Sequence, residues 1–262
     1  MAIRTVVIGA GGVGGWLTHG LVKQLEYGDP GSVMLIVDGD AFEVRNHERQ
    51  PFNDLGNKAE VRVSELKERH AQTFLIPVPK WVTTQAVIDA SPVGTDPDGA
   101  QMEDDRVAVE DLLQEGDIVF CVVDNFAARK VVFDHARTLN NIDVFTGGND
   151  DGLFCSVYHY RRRDGQDITD HPAEMHAEYE NPPDRNPGEM GCMERAMVEG
   201  GTQLLATNMT VAALLLGRYY HTCLHDNPIE AAEIMIDLGL AALGAFDRRV
   251  EAAEKVSDLL PA

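Results

Sequence analysis

Cysteine is scarce in this chain and never paired: Cys121, Cys155, Cys192 and Cys223 stand far apart, with no Cys-x-x-Cys. That spacing excludes a zinc ribbon and a disulfide framework, so reduced thiols are expected and no zinc is predicted. Basic residues are few, 22 against 43 acids, for a formal net charge of -21. A field of that sign repels phosphate backbones and anionic lipid, which disfavours nucleic acid and membrane surfaces as partners. Arg161-Arg162-Arg163 is a local basic exception and reads as a solvated strand end. Long apolar runs are missing too. The longest, Val211 to Leu216 within Leu204 to Tyr220, is interrupted by Thr207, Asn208 and Thr210 and is too short to span a bilayer, so it predicts a buried helix. The first strand begins within a few residues of Met1, which leaves no room for a signal sequence and predicts a cytoplasmic protein.

What is present is an alternation of apolar runs and helical spacings over 262 residues, the size of one α/β domain, and a single domain over 1–262 is expected. Val13, Trp16, Leu17 and Leu21 fall at helical spacing between the strand Thr5 to Ile8 and the unbroken apolar run Val33 to Val37. A helix over Asn57 to His70, a strand over Phe74 to Val78, an exposed loop over Ser91 to Asp105 and a short helix over Val109 to Gln114 follow. The run Ile118 to Val123 is wholly apolar, as a central parallel strand covered on both faces should be. A helix from Asn125 to about Leu139 and a strand from Ile142 to Phe145 continue the pattern. The fold class expected is α/β, a doubly wound, mainly parallel sheet with antiparallel strands toward the C-terminal part, at Leu153 to Tyr160 and Ala232 to Leu238. Arg163 to Gly191 has no periodicity and reads as a long mobile loop, with His171 and His176 as solvated histidines. A buried helix over Gly200 to Tyr220 and a charged amphipathic helix over Asp247 to Leu259 complete the expectation.

The chemistry is concentrated near the N-terminus. The first strand runs into Gly9-x-Gly11-x-x-Gly14, where glycines let backbone N–H groups approach phosphate at a helix N-terminus. Asp38, ending the second strand, is placed to take ribose hydroxyls. Those two elements alone fit a nicotinamide or flavin enzyme equally well. Arg49 and Lys58 supply cationic charge that a triphosphate with a leaving pyrophosphate requires and a hydride transfer does not.

Four blocks in this order carry a resemblance: Gly9-x-Gly11-x-x-Gly14; Asp38-x-Asp40 through Asn46 to Arg49-Gln50; Lys58 at the start of the next helix; and Val122-Val123-Asp124-Asn125-Phe126-x-x-Arg129. With them the chain resembles the E1-like adenylyltransferases, the family that contains ThiF, MoeB and the ubiquitin-activating enzymes. The resemblance implies ATP-dependent adenylation of a carboxylate, usually the C-terminal glycine of a small ubiquitin-like or sulfur-carrier protein or a peptide, with release of pyrophosphate. It implies ATP and magnesium as cofactors and a homodimer. It assigns Asp38 to ribose, Asn46, Arg49 and Lys58 to phosphates, and Asp124 to magnesium, with Gln50 and Asn125 in the site wall.

Several residues keep two readings. Asp40 either shapes its turn or contacts ATP. Asp124 either caps the following helix or serves the site. Cys192 stands where relatives keep a reactive cysteine that can carry a thioester, or it is an ordinary loop thiol. Cys121, Cys155 and Cys223 read as core. The chain departs from the family in lacking paired zinc-binding cysteines and an N-terminal helix carrying an arginine, for which Arg4 is a poor substitute. Competing functions are adenylation of a tRNA or small-molecule carboxylate, a nucleotide-binding scaffold, and an NAD-dependent oxidoreductase.

Overall fold

The computed structural model describes residues 3–93, 103–149, 153–190, 192–195, 204–229, 231–240 and 242–246. The helix expected over 247–259 and most of the loop expected over 91–105 lie outside the described residues. The chain opens with strand β1 (Arg4–Ile8), helix α1 (Gly12–Gly28), strand β2 (Val33–Val37), the short pair β3 (Ala41–Phe42) and β4 (Gly56–Asn57), helix α2 (Lys58–Lys67) and strand β5 (Phe74–Val78). It continues through β6 (Trp81–Thr83), α3 (Gln85–Ala90), β7 (Arg106–Ala108), α4 (Val109–Leu112), β8 (Ile118–Cys121), α5 (Phe126–Ala136), β9 (Ile142–Asn149), β10 (Phe154–Arg163) and β11 (Gln166–Asp167). After three single 3-10 turns come α6 (Cys192–Arg195), α7 (Leu205–Tyr219), β12 (Glu233–Asp237) and β13 (Ala242–Phe246).

One large sheet carries the order β13-β12-β10-β9-β8-β1-β2-β5. From β5 to β9 every pairing is parallel, and from β9 to β13 every pairing is antiparallel. This is the doubly wound sheet with antiparallel C-terminal strands that the alternation predicts. Successive strands lie first on one side of β1 and then on the other, so the order reverses beside β1. Crevices at the carboxyl ends of strands at such a reversal are where open α/β sheets bind ligands.

Side chains alternate across the strands and build two cores. Val7, Met34, Ile36, Phe120 and Phe145 face α1, α2 and α7 on one side. Val6, Ile8, Leu35, Val119 and Val144 face α4, α5 and the segment around Tyr179 on the other. Strand β8 is buried at all four positions, as its apolar run requires. Leu17, Leu21 and Leu25 repeat every four residues on α1 and are fully buried, each worth about 1.5–3 kcal/mol of burial. The late helix buries Val211, Ala212, Leu215 and Tyr219 on one face, while its polar residues Thr207 and Asn208 are buried too.

The segment 163–191 is better anchored than its composition suggests. Tyr179 is buried against Phe126 and Phe133, and the Asp184 carboxylate accepts both Phe126 N and Ala127 N at 2.8 Å. Asn186 donates to Val82 O and accepts Gly188 N. His171 is buried rather than solvated, and His176, though partly exposed, is held by a buried partner. His171 is 1% exposed and its Nδ1 accepts Ala173 N, and His176 Nε2 lies 3.0 Å from both oxygens of buried Glu233. Nor is the arginine triplet a solvated strand end: Arg161 is buried on Asp143, and Arg162 and Arg163 pair with Asp167 and Asp143.

Candidate functional site

An open cleft of about 850 Å3 lies at the carboxyl ends of β1, β2 and β8. It brings together Gly9, Gly11, Asp38, Asp40, Asn46, Arg49, Gln50, Lys58, Asp124 and Asn125 on one wall system. Gly14 is not part of the lining; it works beneath it. A Cβ at Gly14 would stand 1.9 Å from Gly9 O, so only glycine lets α1 start this close to the end of β1. Gly9 has φ +100, a left-handed conformation that side chains resist. The turn they form leaves α1 with Gly11 as its N-cap, no side-chain cap and no acid in its first turn. Its dipole and unpaired amides therefore face the cleft, ready for an anion.

Asp38 anchors the next wall. Its carboxylate accepts Ala10 N at 2.7 Å and Asp40 N at 2.9 Å, tying the ends of β1 and β2 together. Burial raises its pKa, against the pull of Lys58. Lys58 opens α2, which Asn57 caps by accepting Ala59 N and Glu60 N while donating to the carbonyls of Asp38 and Asp40. Lys58 Nζ bonds Asp40 Oδ2. Burial alone would lower the lysine pKa, but Asp38, Asp40 and Asp124 outweigh it and hold the ammonium charged. Asp40 thus shapes the turn, and it also lines the cleft beside Lys58.

Asn46 is buried, and its Oδ1 accepts Glu43 N, which fixes the single turn leading to Arg49. Buried Arg49 Nε and Gln50 Oε1 have no protein partner. Gln50 Nε2 sits 3.7 Å from where a Cβ on Gly11 would be. The orphaned Arg49 Nε, a donor, beside an uncapped helix N-terminus fits a polyphosphate, since buried polar atoms in native proteins find partners, whereas Gln50 Oε1 is an acceptor and suits a donor group of a ligand instead.

Asp124 is not the cap of α5. Asn125 is, with Oδ1 accepting Ala128 N at 2.8 Å and Nδ2 donating to Arg185 O, so its side chain is committed to structure rather than to a ligand. The exposed Asp124 carboxylate follows β8 on the same wall, near enough to Lys58 to help hold its ammonium charged. Arg129, from the same block, is buried below the site and donates to the carbonyls of Val123 and Gly147. Arg4 pairs with Asp117 and Leu112 O at the far end of β1.

The other half of the cleft was not legible in the motifs. It is formed by Ser156, Tyr158, His176, Glu178, Glu233 and Met235, from β10, β12 and the segment before α6. The His176–Glu233 hydrogen bond raises the histidine pKa. Met190 and Arg195 also line the cleft, which puts the backbone of Cys192, between them on α6, at its rim. Arg195 lies over the Trp81 ring, 5.3 Å from its centroid, and bridges to Asp105.

The remaining cysteines are core groups. Cys121 is fully buried and pushed up to about 11 by burial, and Cys155 is buried. Cys223 lies with Asp143 and His159 in a cluster of metal-binding atoms, but Arg161 threads through it, donating to Asp143 at 2.5 Å and to Cys223 Sγ at 3.4 Å. A guanidinium in that position makes the cluster an ion-pair network. Among the described residues, no helix is long and apolar enough to cross a membrane.

The chain matches the ThiF family over residues 1–227 and belongs to it. Its fold is similar to that of E. coli MccB solved with ATP, at 15% identity over 94% of this chain and 63% of that one, with a TM-score of 0.63. It is also similar to the microcin C7 biosynthetic enzyme MccB in complex with N-formylated MccA, at 16% identity over 94% of this chain and 64% of that one, TM-score 0.62. PaaA matches at 15% identity over 94% of this chain and 72% of that one, TM-score 0.61. The chain spans just under two thirds of the length of MccB. No curated protein sequence matches it significantly.

Proposed function

We propose that this ThiF-family chain adenylates a carboxylate with ATP. The observation that carries the reading is the meeting, in one cleft, of the uncapped N-terminus of α1 with the cations Arg49 and Lys58, the buried Nε donor of Arg49 having no protein partner. Asp38 receives the ribose; the glycine turn, Arg49 and Lys58 receive the phosphates. The acceptor carboxylate, already ionised at neutral pH, needs no general base. Its oxygen forms a bond to the α-phosphorus while the bond to the β-phosphate bridging oxygen breaks, giving an acyl-adenylate and pyrophosphate. Negative charge grows on the departing pyrophosphate, and preorganised cations there lower the barrier most. Asp124 would hold magnesium, which supplies further positive charge to the leaving group.

The half of the cleft between β10, β12 and the 163–191 segment is the acceptor's side. Its volume, at the upper end of small-ligand pockets, leaves space beyond a nucleotide. The acceptor we favour is the C-terminus of a peptide or of a small ubiquitin-like or sulfur-carrier protein, reached by the entry beside His176. MccB, whose fold this chain shares, has been solved with MccA. A homodimer in the cytoplasm, as in the family the motifs resemble, is part of the same proposal.

Magnesium-dependent exchange of labelled pyrophosphate into ATP tests it, with short peptides bearing a free C-terminal carboxylate as acceptors and the same peptides amidated as controls. Exchange with the free acids alone supports the reading. NAD binding with no exchange for any acceptor would return the chain to the oxidoreductase alternative.

A further inference from the structure

Helix α2 delivers Lys58 to the cleft at its first residue, and four residues on, on the same face, it carries Arg62, a fully buried arginine that no motif singles out. Arg62 Nη2 donates to Pro51 O, the carbonyl next to Gln50. Its Nη1 donates to Glu65 Oε2 at 2.6 Å and lies 3.1 Å from His19 Nε2 on α1. The guanidinium also stands 5.7 Å from the Phe42 ring centroid. Phe42 in turn stacks on Phe52 at 4.2 Å, and Glu65 Oε1 accepts Asn53 N at 2.6 Å. The segment 51–53 is therefore gripped at three consecutive residues by one turn of α2 and its neighbours. A Cβ on Gly15 of α1 would meet both Arg62 Nη2 and Pro51 Cδ at 3.1 Å, so the phosphate-facing helix is packed against the same contact.

Resting on the adenylation reading, we propose that Arg62 is the positioning residue of the phosphate site: it fixes the Asn46–Gln50 turn against α1 and α2, so that Arg49, Gln50 and Lys58 hold one geometry. Arg62 touches no substrate. It acts because a long buried side chain with three fixed partners turns α2 into a common support for both sources of positive charge, and placement errors of about 1 Å at such a site cost about a hundredfold in rate. None of the partners that Arg62 itself bonds touches the carboxylate of Asp38, which is held by the amides of Ala10 and Asp40. A positioning role for Arg62 is thus selective for phosphate.

Arg62→Met and Arg62→Lys are compared with the unaltered protein in two measurements: hydrogen exchange at the amides within 46–53 without ligand, and calorimetric titration with magnesium ATP and with adenosine. Exchange should accelerate at Arg49, Gln50 and Asn53, and ATP should bind about tenfold more weakly, the scale of one lost charged hydrogen-bond set, while adenosine affinity stays unchanged. Lysine should restore part of the loss. If Arg62→Met does not fold, Arg62→Lys and Glu65→Gln carry the same comparison. Equal losses for ATP and adenosine, or unaltered exchange at those amides, overturn the proposal. An unaltered protein that binds no ATP defeats the adenylation reading instead, and the exchange measurement then decides the positioning role alone.

Discussion

Lys58 and Asp40 are joined twice, by the ammonium on Oδ2 and by Lys58 N on Asp40 O at 2.8 Å. The double link fixes both the backbone and the charge of the lysine, with Asp38 and Asp124 adding to the field that keeps it protonated. A cation held in this way before ligand arrives needs little reorganisation when charge moves to pyrophosphate. Lys58→Ala should lower pyrophosphate exchange by about a hundredfold or more, with a smaller loss in ATP affinity. Exchange at the normal rate in that variant would remove Lys58 from the mechanism.

Asn125, and not its neighbour Asp124, is the cap of α5, and the magnesium role is proposed for Asp124 alone. Asn125→Ala removes the α5 cap and should cost about 1 kcal/mol of stability in chemical denaturation. Asp124→Asn should slow exchange in a way that raised magnesium partly restores. Unaltered magnesium dependence in Asp124→Asn places the metal elsewhere.

Three imidazoles whose protonation the fold opposes, buried His159 and His171 and half-buried His19, make stability depend on pH. Burial pushes His159 down to about 4, despite Asp143 beside it, and burial followed by Arg62 does the same to His19. Unfolded, all three titrate near 6.5. Between those values the unfolded chain takes up protons that the folded chain refuses, so stability is full above about pH 6.5 and falls with acidification toward about pH 4. His176, raised by Glu233, has the opposite sign: its contribution is complete below the unfolded value and is lost as pH rises through the folded one. His171 is lowered by burial as well, so three groups stand against one: urea midpoints should fall from neutral pH to about pH 4.5, and His159→Gln should flatten the decline. A midpoint that climbs over that interval contradicts the account.

The local part of this site was readable because its residues are neighbours in sequence. Gly9 to Gly14 and Lys58 each sit where a strand hands over to a helix, Asp38 directly ends β2, and spacing alone locates such strand ends. The wholly apolar run at Ile118 identified a central strand for the same reason. What stayed hidden depends on topology: Asp184 capping α5 across 58 residues, His176 meeting Glu233 across 57, and Arg161 reaching Asp143 across 18. Composition misled most where such partners exist. The Pro- and acid-rich segment 163–191 reads as solvated, yet Tyr179, His171 and Asn186 are buried because each turn finds a fixed acceptor or ring.

That segment supplies a prediction about access. It forms one wall of the cleft and is fastened to α5 through Asp184, so opening it requires breaking two amide-to-carboxylate bonds. We propose that it moves to admit the acceptor and that Asp184 sets how readily. Asp184→Ala should make 163–191 the first region cut in limited proteolysis and accelerate cutting over the unaltered protein. Equal cleavage rates in the two proteins count against the fastening role.

Cys192 begins α6 between two residues that line the cleft, Met190 and Arg195, and that places its backbone at the rim above the sheet. Adenylation needs no thiol, since the carboxylate itself attacks phosphorus. The role that the family resemblance implies for the Cys192 thiol would come only afterwards: its sulfur would take the acyl group from the adenylate, forming a C–S bond as the acyl C–O bond breaks and AMP leaves. Cys192→Ala should then keep pyrophosphate exchange with any acceptor peptide that supports it, while losing a covalent adduct that hydroxylamine or excess thiol releases. Mass spectrometry of the intact protein after incubation with ATP and that peptide reads the adduct directly. An adduct that persists in Cys192→Ala assigns it to another group. An unaltered protein that exchanges pyrophosphate but never gains mass makes the adenylate the released product and Cys192 an ordinary residue of the rim.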